Sequence, residues 1–467
     1  MERNKGGDTV LDFVAAFRTH RTGNSQTSLM KTDRLQSIFK CGDEPVAILG
    51  SGMSGQAAQK LLSAKGRVSE FFDEKHRLFE SLDAAKCSFV VVSPGFRPSH
   101  EWVKLALNAG KEVISEVDLG LVYSKHTKLV SITGTNGKTS LASILDHVAS
   151  RLDVPCTVLG NIGKPISAEV AEESLSGKIV FLETSSFQAI TSNHLKPDSL
   201  LWTNFSQDHL DYHGTEKDYY LAKFRLVSNC KYMHEVFLGR SVLSQAKKFG
   251  LDTKPQWQII DPLSVNELPA RISSFHKSVP QRENLAFALR WFKRKGYCEN
   301  QFFDALGDYR PYPHRLFKVN EINDISFWND SKSTNLGSTL AACESFSKKV
   351  IWIGGGKNKG QEIKKFATAL FPYLQGAFLI GETADELSKH LTERNIKTTI
   401  CRNLKSAVAV AFEFAKKHTD ILFSPGFASF DMFSNYSDRG NSFESLVFDL
   451  KSACQVSTKI NVKSFAS

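Results

Sequence analysis

Twelve residues, Leu129-Val-Ser-Ile-Thr-Gly-Thr-Asn-Gly-Lys-Thr-Ser140, restrict the fold of this chain more than any other stretch. The apolar, β-branched opening predicts a buried strand. Gly134 and Gly137 predict a tight turn, and residues 140–148 continue with helical periodicity. A strand, a glycine turn and a helix N-terminus surround an anion with backbone N–H groups and the positive end of a helix dipole. In such a cradle Gly134, Thr135, Asn136, Gly137 and Ser140 line the phosphates, Lys138 reaches the β- and γ-phosphates, and the Thr139 hydroxyl holds Mg²⁺. Ile132 stands where the longer eight-residue pattern has a glycine, so this is the shorter G-x-x-G-K-T form. The plain alternative is an ordinary strand–loop–helix turn. The strand and helix signals on either side favour phosphate.

Length and composition narrow the rest. At 467 residues the chain holds roughly three domains of ~150 residues. Its 41% apolar and 23% charged content is that of a soluble globular protein. No apolar run approaches the ~20 residues that a bilayer requires, and the first thirty residues lack an apolar signal core. The eight cysteines lie far apart with no Cys-x-x-Cys pair, which fits free thiols in a reducing cytoplasm. Net charge is +10, with the basic residues scattered rather than blocked. That balance suits polyanionic small substrates as well as nucleic acid. Residues 1–44 read as an extension with a short helix signal over residues 9–17, and no role follows from them.

Upstream of the phosphate loop, Pro45-Val-Ala-Ile-Leu-Gly-Ser-Gly-Met-Ser-Gly55 gives a strand and a Gly50-x-Gly52-x-x-Gly55 turn before an Ala/Leu helix. A second strand ends at Phe71-Phe-Asp73. This is the dinucleotide fingerprint with an acid about twenty residues on. It can serve NAD, another nucleotide, or nothing more than a tight βα turn. Residues 88–93 predict another buried strand running into Ser93-Pro94-Gly95. Strand ends of a parallel sheet share one edge, where ligands bind in open α/β folds.

Downstream, three strand ends carry polar tips: Gly160-Asn161-Ile-Gly163, Glu183-Thr-Ser-Ser186-Phe-Gln188, and Asn204-Phe-Ser-Gln-Asp208-His209-Leu-Asp211. A carboxylate at a strand end is commonly just solvated, but beside a phosphate loop Glu183 supplies the oxygen that a divalent cation needs. His209 alone reads as structural; within Asp208-His209-Leu-Asp211, beside Mg-ATP, it reads as functional. Lys223 falls on a helix among apolar neighbours, where a snorkelling lysine is the plain reading. After the Pro-rich Tyr309-Arg-Pro-Tyr-Pro-His314-Arg315, strands and helices alternate again. Their loops carry Asp330-Ser-Lys332-Ser-Thr334-Asn335, a Gly354-Gly-Gly-Lys-Asn-Lys359-Gly360 run that suits an anion, and Ser424-Pro-Gly-Phe-Ala-Ser429.

Taken together, these motifs resemble the Mur ligase superfamily over roughly residues 45–455. They are most similar to its D-glutamate-adding branch. The phosphate loop places the chain in the superfamily. Asn329-Asp-Ser-Lys-Ser-Thr-Asn335 and residues 424–440 select the branch, and the N-terminal nucleotide domain argues against the folate-polyglutamate relatives.

The resemblance implies an α/β fold of three domains. A Rossmann-like domain at residues 45–126 would bind the UDP-substrate, a central P-loop-type ATPase domain with a mainly parallel sheet at 127–312 would bind ATP, and a Rossmann-like domain at 313–467 would bind the amino acid. It implies ATP-dependent addition of D-glutamate to UDP-N-acetylmuramoyl-L-alanine through an acyl phosphate, in cytoplasmic peptidoglycan synthesis. The enzyme would be a monomer, with no nucleic-acid partner and no membrane insertion. The first fingerprint would then grip UDP through Gly52, Met53, Ser54, Asp73, Ser93 and Gly95, while Asn161, Ser185 and Gln188 would position the muramoyl part. Lys138, Thr139 and Glu183 would serve ATP and one Mg²⁺. His209 and Lys223 match a second Mg²⁺ site, in which the family's lysine is carbamylated. Asn284, Arg315 and Asp330 would hold adenosine and phosphates. Lys332, Thr334, Lys359, Ser429, Phe430 and Tyr436 match the surroundings of D-glutamate.

The chain departs from the family pattern at Ser278-Val-Pro-Gln281, which replaces Gly-x-His-Asn ahead of Asn284, and at Gly426-Phe427, where small residues are usual. The segment between Lys223 and Asn284 is short. Three other readings compete: a sister ligase with a different amino acid, a nucleotide-binding relative without ligase chemistry, and a basic nucleic-acid ATPase. Retention of Lys138, Glu183, His209 and Lys223 together opposes the second. The absence of any nucleic-acid module opposes the third.

Overall fold

The computed structural model describes residues 44–124, 127–272, 276 and 279–464, with side chains up to residue 454. The N-terminal extension and its short helix signal lie outside the described residues. Three sheets carry the fold, and the contacts divide the chain into two units.

The first unit holds two parallel sheets. One is four-stranded, from β1 (Val46–Leu49), β2 (Ser69–Phe72), β3 (Val90–Val92) and β4 (Val113–Ser115), in the order β2-β1-β3-β4. Strand β1 is Val-Ala-Ile-Leu and fully buried, as a strand covered by helices on both faces requires. The other is six-stranded, from β5 (Lys128–Thr133), β6 (Cys156–Gly160), β7 (Ile179–Glu183), β8 (Ser199–Trp202), β9 (Val236–Gly239) and β10 (Gln258–Ile260), in the order β10-β9-β8-β5-β7-β6. Strand β5 pairs with β7 on one side and β8 on the other. It therefore marks the point where strand order reverses, and the crevice at its carboxyl end is where such sheets bind ligands. Helices join the two sheets: the Ser167 N–H donates to Glu116 at 2.7 Å, and a Cβ on Gly120 would fall 2.7 Å from Ile166. Glu116 is buried and one of its oxygens has no hydrogen-bond partner, so burial pushes its pKa up to about 7.

The second unit centres on six strands: β11 (Phe317–Ile322), β12 (Ile325–Asn329), β13 (Val350–Gly354), β14 (Leu374–Leu379), β15 (Lys397–Ile400) and β16 (Thr419–Phe423). Their order is β11-β12-β16-β13-β14-β15, and only the β11–β12 pair is antiparallel. Asn323 and Asp324 form that hairpin turn, both at positive φ, the backbone that a two-residue turn needs to match strand twist. Apolar side chains fill both faces, with Trp352, Phe366 and Leu422 on one and Ile351, Phe378 and Phe423 on the other.

The fold expected from the sequence is therefore present, with parallel sheets in the N-terminal, central and C-terminal regions. The sequence reading passed over β4, β9, β10, β11 and β15, which are short or lie at sheet edges. Strand β15, Lys-Thr-Thr-Ile, carries no apolar run at all.

Candidate active site

The phosphate loop leaves β5 at the reversal point and enters the helix Lys138–Arg151 directly. Gly134 has φ +149° and Gly137 φ +83°, backbone that favours glycine. Space enforces the same choice. A Cβ on Gly134 would fall 2.0 Å from Thr203 Oγ1, and one on Gly137 2.7 Å from Asn284 Oδ1. Residues at the end of β8 pin the loop. Thr203 Oγ1 donates to the Asn136 carbonyl at 2.7 Å, Asn204 Oδ1 accepts from the Asn136 N–H at 2.9 Å, and the Asn204 carbonyl accepts from the Thr135 N–H at 3.1 Å. Sequence reasoning missed Thr203 and Asn204 as loop supports; their signal was two polar residues closing an apolar strand.

Around this loop the first unit brings Lys138, Thr139, Asn161, Glu183 and Lys223 together. Glu183 ends β7 and is buried. One of its oxygens accepts from Thr139 Oγ1 at 2.7 Å and the other from Asn161 Nδ2 at 2.8 Å. Lys138 Nζ donates back to the Gly134 and Thr135 carbonyls at 2.9 and 3.0 Å. Lys223, on the helix Glu216–Asn229, is only 1% exposed rather than snorkelling. Its Nζ donates to the same Gly134 carbonyl at 3.0 Å and to Thr133 Oγ1 at 3.4 Å, over the Tyr219 ring. Two ammonium groups thus converge on one loop carbonyl.

The donor chemistry at Thr139 and Glu183 fits Mg²⁺, a hard cation held by oxygen. Among the described residues no group of three or more His, Cys, Asp or Glu forms a complete metal cage. Asn284 is buried against the loop on the helix Val279–Arg294. The divergent Val279-Pro-Gln281 forms the first turn of that helix, where proline lacks nothing that a helix would use.

In the first sheet Gly52 caps the helix Met53–Ala64, which begins with Met53 and Ser54. Asp73 accepts from Ser51 Oγ at 2.9 Å and from the Lys75 N–H at 3.1 Å. The Lys75 N–H and then Ser51 hold its carboxyl below the usual range. A Cβ on Gly50 would fall 2.8 Å from Ser93 Oγ, so the turn and the Ser93–Gly95 strand end are neighbours. Met53 is 81% exposed there. Tyr212 reaches the same loop: its hydroxyl donates to the Phe96 carbonyl at 3.2 Å, and Arg97 lies over its ring. Ser185 and Gln188 bond each other as a reciprocal cap on the helix Ser186–Thr191.

The second unit groups the remaining expected residues. His209 has φ +53°, and its N–H donates to Asp208 Oδ1 at 2.9 Å. The other Asp208 oxygen accepts from Asn335 Nδ2 at 3.1 Å. Asp330 is buried beside Arg315 and accepts from Ser333 Oγ, from Ser424 Oγ at 2.8 Å and from the Leu316 N–H at 3.1 Å. Burial outweighs these bonds and pushes its pKa up to about 6. Lys332 Nζ lies 3.7 Å from the Tyr436 ring centroid and Lys359 Nζ 5.9 Å from that of Phe430. Thr334, two residues after Lys332, is half-buried, and Ser429 is buried. Phe427 leaves the site and stacks on Phe366 in the core at 4.8 Å, which explains how a large residue is accepted there. Sequence reasoning missed Ser331, Ser424 and Arg439, polar residues that hold the loops from within.

Comparison with known proteins places the chain in a family. The family model of the Mur ligase middle domain matches residues 132–246. The chain is 32% identical over 418 residues to UDP-N-acetylmuramoylalanine–D-glutamate ligase of Aquifex aeolicus, covering 86% of this chain and 97% of the relative. The enzyme of the same name from Caldicellulosiruptor bescii is 31% identical over 446 residues, covering 87% and 97%. Among solved structures, MurF from Acinetobacter baumannii matches with a TM-score of 0.55 at 16% identity, over 85% of this chain and 98% of its own. The UDP-N-acetylmuramate–alanine ligase of Thermotoga maritima matches at 0.54 and 14%, over 87% and 100%. At such low identity these structures speak for the fold alone, while the sequence relatives carry the family: the chain belongs to the Mur ligases, in the branch of the UDP-N-acetylmuramoylalanine–D-glutamate ligases.

Proposed function

We propose that this chain is an ATP-dependent, ADP-forming ligase that joins D-glutamate to UDP-N-acetylmuramoyl-L-alanine, a cytoplasmic step of peptidoglycan precursor synthesis. The observation that carries the reading is the buried Thr139–Glu183–Asn161 arrangement under a glycine loop on which Lys138 and Lys223 converge. It combines with likeness to enzymes of that name over 86–87% of this chain.

The chemistry sets the demands. A carboxylate oxygen of the UDP-linked substrate attacks the γ-phosphorus of ATP and ADP leaves. The amine nitrogen of D-glutamate then attacks the acyl carbon and phosphate leaves. The first step brings two anions together, so positive charge has to be in place beforehand. Lys138 exchanges its loop carbonyls for phosphate oxygens, and the helix N-terminus at Lys138–Ser140 adds backbone N–H groups. Thr139 and Glu183 would hold one Mg²⁺, and His209 and Lys223 would serve a second. Bound there, Mg²⁺ supplies charge neutralisation of the transferring phosphoryl group. Lys223 as an ammonium cannot ligate a cation; carbamylation converts it to an oxygen donor. Asn284, Arg315 and Asp330 hold the nucleotide. Gly52, Met53, Ser54, Asp73, Ser93 and Gly95 hold the UDP end, with Asn161, Ser185 and Gln188 on the sugar. Lys332, Thr334, Lys359, Ser429, Phe430 and Tyr436 receive D-glutamate. We take the domain boundaries as 45–126, 127–312 and 313–467, and the working state as a monomer.

The test is direct. Incubate the full chain with Mg-ATP, UDP-N-acetylmuramoyl-L-alanine and each of a panel of amino acids, and measure phosphate release. D-glutamate alone should support fast turnover. Equal turnover with L-lysine or D-alanine points instead to a sister ligase.

A further inference from the structure

Arg439 sits in the first turn of the helix Tyr436–Ser464 and is 1% exposed. Its acceptors are carbonyls and a hydroxyl rather than a carboxylate. Nε donates to Ser331 Oγ at 3.1 Å, Nη2 to the Ser331 carbonyl at 2.8 Å, and Nη1 to the Phe427 carbonyl at 3.0 Å. Ser331 Oγ in turn donates to the Tyr436 carbonyl at 2.8 Å. The glycine-rich loop after β13 closes on the same group: a Cβ on Gly356 would fall 3.4 Å from Nη1. Lys357 pairs by backbone with Ala428 on the neighbouring loop. One guanidinium therefore ties together the loops that carry Lys332, Lys359, Ser429 and Tyr436.

Burying a cation without a partner acid is costly. Burial lowers the pKa of Arg439 to about 10, and Asp431 and Asp330 oppose this only by charge. Neutral donors could brace two carbonyls. What they could not supply is a rigid fork that spans both loops together with a permanent positive charge.

Resting on the reading of D-glutamate addition, we propose that Arg439 is a positioning residue for the incoming amino acid. It fixes the Ser331 and Phe427 loops in the register at which Lys332 and Ser429 meet a dicarboxylate, and adds positive potential from within the fold.

The test varies D-glutamate and ATP separately in the phosphate-release assay on the full chain. Wild-type turnover with D-glutamate comes first, and its absence overturns the functional reading and this inference together. With turnover established, Arg439→Lys, which keeps charge but loses the fork, should raise the KM for D-glutamate roughly tenfold. The KM for ATP should rise much less, because the phosphate loop lies elsewhere in the chain and only Asp330 of the nucleotide-holding residues sits on a loop that Arg439 braces. Arg439→Ala should raise the KM for D-glutamate further, and millimolar guanidinium should restore part of the loss. Should Arg439→Ala fail to fold, the ratio of KM changes in Arg439→Lys decides. Equal rises for both substrates, wild-type constants in Arg439→Lys, or no guanidinium rescue in a folded Arg439→Ala enzyme overturns the proposal.

Discussion

The phosphate loop of the first unit and the cationic loops of the second hold their charges in opposite ways. Around the phosphate loop every expected charge is tied by hydrogen bonds. Glu183 is held by Thr139 and Asn161, and Lys138 and Lys223 by the Gly134 carbonyl. In the second unit the expected amino-acid ligands Lys332 and Lys359 lie over the faces of Tyr436 and Phe430, and Phe430 is 63% exposed. Rigidity there comes from beneath, through Asp330 and Arg439. A group that must meet a developing charge gains from being fixed before the reaction. A group that receives a small substrate is placed by the rigid elements and supporting bonds beneath it.

Substitution at the tightly bonded centre should therefore have the largest effects. Lys138→Ala should lower kcat by about 10²-fold or more while the circular dichroism spectrum stays unchanged. Near-normal turnover would remove the phosphate loop from the mechanism. Lys223→Ala should be inactive and partly rescued by acetate, because a small carboxylate can replace the carbamate oxygen. Lys223→Arg cannot carry that group and should stay inactive. A fully active Lys223→Arg enzyme would exclude carbamylation, and the burial of Lys223 would then be structural.

Asp330 tests whether the second unit also contains a tightly bonded centre. Three donors and Arg315 favour its charged form, yet burial wins and raises the pKa from 3.8 to about 6. The folded state therefore keeps the proton to higher pH than the unfolded chain does. That contribution to stability is complete below about pH 4 and is lost as pH rises through about 6. Two pKa units correspond to at most about 3 kcal/mol. Asp330→Asn removes this titration, so wild type should lose stability relative to the variant between pH 4 and 6 and run parallel above. Parallel melting curves across the whole range would show that the carboxyl is solvated.

The two units also differed in how far they could be read from sequence. The phosphate loop was legible because β5, Gly134, Gly137 and Lys138 are contiguous, and each has a local physical reason. Lys223 was legible as a helix position, but its burial was not, since periodicity cannot show that a lysine points at a carbonyl 89 residues upstream. The supports were harder still. Thr203, Asn204 and Ser424 matter through partners distant in sequence, and a polar residue closing an apolar strand does not by itself say which partner it holds. Arg439 looks like a surface residue in a polar helix until the fold buries it. Strand β15 escaped because an edge strand needs no apolar run. Residues that act through local backbone were visible, and residues that act through tertiary partners were not.

At the cationic loops the expected effects shrink and concentrate on one substrate. Lys359→Ala should raise the KM for D-glutamate about tenfold, as one charged partner is lost. The KM for ATP should not follow, and equal changes in both would favour a sister ligase.

The smallest effect should come from the aromatic half of the same pair. Phe430 is exposed, so removing its ring leaves no cavity and should not change the melting temperature. What it gives up is the face over which Lys359 sits, at a distance where the interaction is worth about 0.5–1 kcal/mol at an exposed site. Phe430→Ala should therefore raise the KM for D-glutamate roughly two- to fivefold. Phe430→Tyr keeps a ring face and should match wild type. Combined with Lys359→Ala, the Phe430→Ala change should add little, because the ring then has no ammonium to hold. Full additivity in the double variant would show that the ring contacts the substrate itself, and that the second unit, like the first, fixes its ligand through direct contacts.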